Sequence, residues 1–227
     1  MDGAAFIRAN TKLLPVPLVP EICLYLAEES LPIWRKTEEE LGEMNVPPPY
    51  WAFAWAGGQA LARYILDNPT TVAGAHVLDL GSGSGLTAIA AMRAGAAHVL
   101  AADIDALALA AIDLNAAANV VAVEATREDL LAGAPGRFDI VLVGDLFYER
   151  TLAERVLAFI EAASANGSEI LVGDPRRSYF PKDRFRAVAE YAVPVTRELE
   201  DAEIKRTAVW RLSIFPLSPP FAGRGSG

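Results

Sequence analysis

The stretch Val77-Leu-Asp-Leu-Gly-Ser-Gly-Ser-Gly85 constrains this chain more than any other, because an apolar strand runs straight into a turn with glycine at alternate positions. A second apolar run then closes on an acid, in Ala101-Ala-Asp-Ile-Asp105. Gly81, Gly83 and Gly85 let bare backbone approach a ligand, and an acid about 20 residues on is placed to accept hydrogen bonds from both ribose hydroxyls of a nucleoside. Dinucleotide sites use the same strand, turn and helix but follow G-x-G-x-x-G, whose third glycine allows close helix packing beneath a pyrophosphate. Leu86 stands at that third position here. The plain reading of the same glycines is an ordinary tight strand-to-helix turn.

From Ala75 onward, strands and helices alternate as a parallel sheet with crossover helices requires. The pattern predicts strands at 76–80, 98–103, near 120–124, 138–143 and 168–173, with helices at 84–94, 105–117 and 150–164. A short helix is expected at 181–190. Two alternating segments, 193–199 and 205–215, then read as an antiparallel pair. Before the alternation, helical spacing over 59–66 ends at Asn68-Pro69. Residues 1–48 form a separate zone: prolines in Leu13-Leu-Pro-Val-Pro-Leu-Val-Pro20 exclude a continuous helix before Glu21, a helix is expected over about 21–29, and Thr37-Glu-Glu-Glu-Leu-Gly42 is acidic. The expected organisation is an N-terminal helical extension at 1–48, one α/β domain at 49–215 and a disordered tail at 216–227.

Acidic residues outnumber basic ones 29 to 20, for a formal charge of −9, which repels nucleic-acid phosphates and favours a basic partner. The single cysteine, Cys23, has no partner for an internal disulfide and reads as a core thiol. With only His76 and His98 beside it, soft ligands are too few for structural zinc, and no metal is expected. Both histidines flank strands and read as surface or edge residues. No charged leader precedes an apolar core and no apolar run approaches membrane-spanning length, so a cytoplasmic, reducing location without membrane contact is expected. In the absence of an apolar heptad or a long free edge, a monomer is expected.

The G-x-G-x-G turn preceded by Asp79 resembles motif I of the class I methyltransferases. That resemblance implies a Rossmann-like seven-stranded sheet, mostly parallel with an antiparallel C-terminal hairpin, and S-adenosyl-L-methionine (AdoMet) as cofactor. Leu18-Val-Pro-Glu-Ile-Cys-Leu-Tyr-Leu26, Trp55-Ala-Gly-Gly-Gln-Ala-Leu-Ala-Arg63, Asp105-Ala-Leu-Ala-Leu-Ala110, Asn115-Ala-Ala-Ala-Asn119 and Asp145-Leu-Phe-Tyr148 narrow the likeness. Over roughly residues 10–215 the chain is similar to the electron transfer flavoprotein β-subunit lysine methyltransferases, a family close to the ribosomal protein methyltransferases. The resemblance implies methylation of lysines on the flavoprotein β subunit, near the surface that receives its dehydrogenase partners. A ribosomal protein, a small molecule, or cofactor binding without catalysis stand as alternative readings.

Candidate site residues follow. Asp79 lies in the first strand, where a buried carboxylate needs donors or a cation; in the resembling family this acid orients the turn or meets the methionine amino group. Asp103 is the expected ribose ligand, with Asp105 the better helix cap. Ile104 is expected against one face of adenine. In Thr126-Arg-Glu-Asp-Leu130, Asp129 or the backbone before it is placed to meet the adenine amino group, with helix capping by Thr126 as the alternative. Trp55 is expected over the cofactor, whereas Trp51 and Phe53 read as core aromatics.

Asp145 and Tyr148 lie where open α/β sheets bind substrates, and their Asp-x-x-Tyr pattern resembles that of the seven-β-strand lysine methyltransferases. The implied roles are a carboxylate that orients the lysine ε-amine and an aromatic wall. The competing structural reading has Asp145 capping the next helix and Tyr148 packed. Leu146 and Phe147 replace the prolines of the Asn/Asp-Pro-Pro-Tyr found in DNA adenine and glutamine-amide methyltransferases. Arg176 and Arg177, after Asp174-Pro175 at the same sheet edge, are placed to frame the substrate, but the favoured reading is solvated loop charge.

Overall fold

The computed structural model describes residues 2–27, 48–195 and 203–213. A seven-stranded sheet carries the fold, in the order β5-β4-β3-β6-β7-β9-β8. Its strands are β3 (His76–Leu80), β4 (His98–Ala102), β5 (Glu124–Thr126), β6 (Ile140–Gly144), β7 (Glu169–Asp174), β8 (Phe185–Pro194) and β9 (Ile204–Leu212). The first five run parallel, and β9 pairs antiparallel with both β7 and β8. β3 lies between β4 and β6, with Leu80 opposite Ala102 on one side and Val143 on the other. The chain winds outward from β3 to β5 and then returns to the other side of β3, so the carboxyl ends of β3, β4 and β6 open a crevice where strand order reverses.

The helices follow the alternation. They are α2 (Ala56–Asp67), α3 (Leu86–Arg93), α4 (Ala106–Ala118) and α5 (Arg150–Ala165). Continuous apolar runs such as Ile140-Val-Leu-Val143 are buried on both faces, as crossover helices on either side of a parallel sheet dictate. One core layer packs α2 and α3 against Val77, Val99 and Leu142. The opposite layer packs α5 against Leu78, Val141 and Val143.

Three expectations are corrected. The helix expected at 21–29 is strand β2 (Val19–Leu26), paired with β1 (Lys12–Val16) in a hairpin that follows α1 (Gly3–Asn10). Residues 2–27, the described stretch of the N-terminal zone that carries regular structure, are therefore a helix and a hairpin. Nearly every residue of Ile22-Cys-Leu-Tyr-Leu26 is apolar, so its periodicity is ambiguous, but Ile22, Leu24 and Leu26 are buried with the period of two that a strand requires. The helix expected at 181–190 is largely β8, since pairing with β9 over nine positions overrides local propensity. The third strand begins at Glu124, because α4 and its C-terminal turn extend to Val120, whose φ is 57°. The acidic segment 37–42 and the tail 216–227 lie outside the described residues.

Two asparagines one helical turn apart on α4 tie the hairpin to the sheet domain. Asn119 accepts from the Cys23 N–H at 3.1 Å and donates to its carbonyl at 2.7 Å. Asn115, fully buried, accepts from Tyr25 N–H and donates to the carbonyl of Ser84 in the glycine turn, both at 2.8 Å. A single side chain thus links β2 to the loop that ends β3.

Candidate active site

The crevice is a cavity of about 470 Å³, within the roughly 300–1,000 Å³ typical of small-molecule sites. Asp79, Gly81, Gly83, Asp103, Ile104, Asp129, Asp145, Tyr148 and Trp55 all line it. Gly85 does not. It caps α3 in the left-handed region at φ 81°, backed by Ile112, so its part is to turn the chain.

The turn after β3 is built around Asp79. This carboxylate is buried and accepts from Ser82 Oγ and Thr87 Oγ1, each at 2.5 Å, and from Ala88 N–H at 3.1 Å. Burial pushes its pKa up against the pull of those three donors, and the charge of Asp103 pushes the same way. At Gly81, with φ 65°, an added Cβ would sit 2.7 Å from Leu146, so the β6 loop closes on bare backbone there.

Asp103 ends β4 and faces the turn. Its Oδ2 accepts the Gly83 N–H at 2.8 Å and its Oδ1 the Asp105 N–H at 3.0 Å, while burial raises its pKa. An ionised carboxylate has about four acceptor sites, so capacity remains beyond these bonds, which fits the ribose hydroxyls of a nucleoside. Asp105 is the α4 cap, accepting from Leu107 N–H at 2.9 Å. Ile104 is exposed beside it. Asp129 lies across the cavity but spends its oxygens on Leu131 N–H and on Arg155, at 3.2 and 2.6 Å. Asp129 thus caps the short turn Leu130–Ala132, while Thr126, the alternative cap, accepts the Glu128 N–H at 3.2 Å through Oγ1.

Asp145 lies just past β6 with φ 60°, a conformation that L-residues seldom adopt and that clusters at functional positions. Its Oδ2 accepts Gly58 N–H at 2.9 Å, at the N-terminus of α2 where backbone donors lack helical partners. Its Oδ1 accepts from Arg177 through Nε at 2.9 Å and Nη2 at 2.6 Å. The cap of the next helix is Glu149, bonding Thr151 and Leu152, so helix capping is not the duty of Asp145. Nor is Tyr148 core packing. It stays 44% exposed beside Tyr50, while its neighbour Phe147 is the buried ring, against Phe180 and Phe185.

Trp55 precedes α2, donates Nε1–H to the Tyr50 carbonyl at 2.9 Å and carries the Arg177 guanidinium 5.5 Å from its ring centre. Trp51 is core, as expected, packed with Ile7 and Ala108, and Phe53 packs against the same cluster; both also reach the cavity wall, Phe53 beside Trp55.

Arg177 corrects the expectation of a solvated loop charge, since its side chain is 16% exposed and paired with Asp145. Sequence reading also missed Asp174, which is fully buried and accepts Arg177 N–H at 2.7 Å through Oδ1. Its Oδ2 is buried with no hydrogen-bond partner. Burial, reinforced by the Asp145 charge, pushes its pKa up to about 7. The Gly57-Gly58 pair opening a helix and the Asp174-Pro-Arg-Arg177 run after a strand were the available signals.

The wall is acid-rich, with Asp79, Asp103, Asp105, Asp129 and Asp145 facing Arg155 and Arg177, each of which already pairs with an acid. Such a field favours cationic ligands. Among the described residues no helix is long and apolar enough to cross a membrane, and no acid, histidine and cysteine cluster could hold a metal ion.

The chain is similar to known proteins in sequence and in fold. The family model "Ribosomal protein L11 methyltransferase (PrmA)" matches residues 60–169. The electron transfer flavoprotein beta subunit lysine methyltransferase of Danio rerio is 36% identical over 222 residues, 95% of this chain and 85% of that protein. The enzyme of the same name from Mus musculus is 38% identical over 213 residues, 91% of this chain and 82% of that protein. Among solved structures, magnesium protoporphyrin IX methyltransferase from Synechocystis PCC 6803 with bound SAM shares the fold at a TM-score of 0.52 and 18% identity, covering 69% of this chain and 80% of that one.

Proposed function

Because this chain belongs to the electron transfer flavoprotein β-subunit lysine methyltransferase family, we propose that it transfers methyl groups from AdoMet to lysine side chains of that flavoprotein's β subunit. It is an AdoMet-dependent protein-lysine N-methyltransferase. The observation that carries the assignment of the site is that Asp145 opens onto the same cavity as the glycine turn and Asp103. A donor held over the turn and an acceptor held at Asp145 would therefore meet.

When bound, AdoMet supplies a methyl group activated by a sulfonium. Asp103 would hold the ribose and Gly81 and Gly83 would pass beneath it. Asp79 keeps that turn in shape, and Ile104 and the Glu128–Asp129 backbone would border adenine. Trp55 would overhang the donor.

A lysine amine, with a pKa of about 10.4, is nearly all protonated at neutral pH, and methylation needs its lone pair. Asp145 would accept one N–H of the ε-amine and direct the lone pair toward the donor, while Tyr148 and Tyr50 wall the approach. Alignment would supply most of the acceleration, since in-line displacement needs little covalent help. The acid excess supports a basic partner surface, and the reading extends to a cytoplasmic monomer without nucleic-acid or membrane partners.

Ribosomal protein L11 is the second candidate acceptor, favoured by the family model over 60–169. Purified protein incubated with labelled AdoMet and each candidate acceptor, followed by peptide mass spectrometry, separates the two. Methyl-lysine on the flavoprotein β subunit is the expected result, and label only on the ribosomal protein would move the assignment there.

A further inference from the structure

Asp145, taken as the acceptor-binding acid, is held by groups that the assignment of the two ligands leaves unexplained. Nε and Nη2 of Arg177 both bond Oδ1, a forked contact that a lysine ammonium could not reproduce. Gly58 N–H fixes Oδ2 from the opposite side. The side chains of the pair are 16% and 10% exposed, so water screens the contact little.

Arg177 is itself built in. Arg176 takes a left-handed φ of 68°, and Asp174 Oδ1 then catches the Arg177 N–H at 2.7 Å, reversing the chain after β7. Tyr179 N–H donates to the Phe147 carbonyl at 3.0 Å, which fastens this loop to the segment between Asp145 and Tyr148. The guanidinium lies over Trp55 and faces the cavity.

A carboxylate alone beside the acceptor would hold the lysine as ammonium and oppose methylation. A guanidinium on that carboxylate offsets its charge without removing its capacity to accept, so the amine loses its proton at less cost. A carboxylate fixed by three donors also presents one lone-pair direction, whereas a free rotamer presents several. We propose that Arg177 is a positioning residue for methyl transfer, which locks the Asp145 carboxylate toward the acceptor nitrogen and offsets its charge.

The test uses the full chain with saturating AdoMet and the flavoprotein β subunit, following kcat, acceptor KM and AdoMet affinity by calorimetry. In Arg177→Gln, kcat should fall about 100-fold, as expected for a misplaced reacting atom, with AdoMet affinity within about threefold of wild type. Arg177→Lys keeps a charged contact and should recover to within about tenfold of wild-type kcat. A kcat for Arg177→Gln within about threefold of an active wild type would overturn the proposal alone, as would a matching loss of AdoMet affinity in both variants. A wild type that binds AdoMet yet methylates no protein lysine would overturn the lysine-methyltransferase reading and this proposal with it.

Discussion

Gly58 and Arg177 grip opposite oxygens of Asp145, the backbone N–H at 2.9 Å on Oδ2 and the guanidinium at 2.6 and 2.9 Å on Oδ1. One donor comes from the first turn of α2 and the other from the loop after β7, so the acid keeps its orientation only while both elements stay docked. A side chain of the β6 loop thereby reports on the packing of two others.

Asp145→Asn keeps the shape and an acceptor for Gly58 while removing the charge. Turnover on the protein acceptor should drop at least about 100-fold, with AdoMet affinity changed less than about threefold. Tyr148→Ala should act in the same direction and more weakly. Steady-state rates beside calorimetric titration check both, and full turnover in the pair would remove these residues from the mechanism.

Asp103→Ala should weaken AdoMet binding by roughly 1.5–3 kcal/mol for each ribose hydrogen bond lost, as for bonds to a charged acceptor. Burial holds the Asp103 carboxyl above its usual range, and the ionised form is the better acceptor. Wild-type affinity should therefore fall as pH drops through that raised range, and Asp103→Asn should show a flatter profile. Titrations across acidic to neutral pH decide it.

Asp174 binds its proton up to about pH 7 when folded, but releases it near its ordinary value of 3.8 when unfolded. Its contribution to stability is complete below about pH 4 and declines as pH rises toward 7, by about 1.4 kcal/mol per unit in that window. Asp174→Asn cannot lose this proton. Urea unfolding at pH 5 and pH 8 should show a smaller decline for the variant, by on the order of 2 kcal/mol. Equal declines would contradict the burial argument.

At Gly57 an added Cβ would stand 2.1 Å from the Gly173 carbonyl oxygen and 2.6 Å from Asp145 Oδ2, so Gly57→Ala must lift α2 off β7. A loss of about 1–3 kcal/mol is expected, as for overpacking elsewhere, together with loss of turnover. At Gly58 an added Cβ meets only Leu86, at 3.9 Å, and alanine suits a helix better than glycine. Thermal melts should place Gly58→Ala at or above wild type and Gly57→Ala well below it.

The sheet strands β3, β4, β6 and β7 and the helices between them were legible because their apolar runs have one period each and are bounded by glycine, proline or acids. Strand β2 was not, since Ile22-Cys-Leu-Tyr-Leu26 suits a helix or a strand until Asn115 and Asn119 hydrogen-bond its backbone edge. Strand β8 takes its form from its pairing with β9. In the site, Asp79, Asp103 and Asp145 were found because each ends or adjoins a strand beside a recognisable turn. Asp174 also ends a strand, but the Asp174-Pro-Arg-Arg177 turn after it matches no familiar motif, and nothing in the sequence pairs Arg177 with Asp145.

What the sequence determined by itself is local: a glycine turn that needs positive φ, an acid closing the next strand, and an alternation that can bury its apolar runs only in a parallel sheet. What the tertiary structure alone decided is which side chains meet at the crevice. Gly58 and Arg177 lie 87 and 32 residues from Asp145 along the chain, and neither spacing encodes contact. They converge because β6 lies between β3 and β7 and α2 packs its bare glycine backbone on the end of β7, an order fixed by burial of the whole sheet.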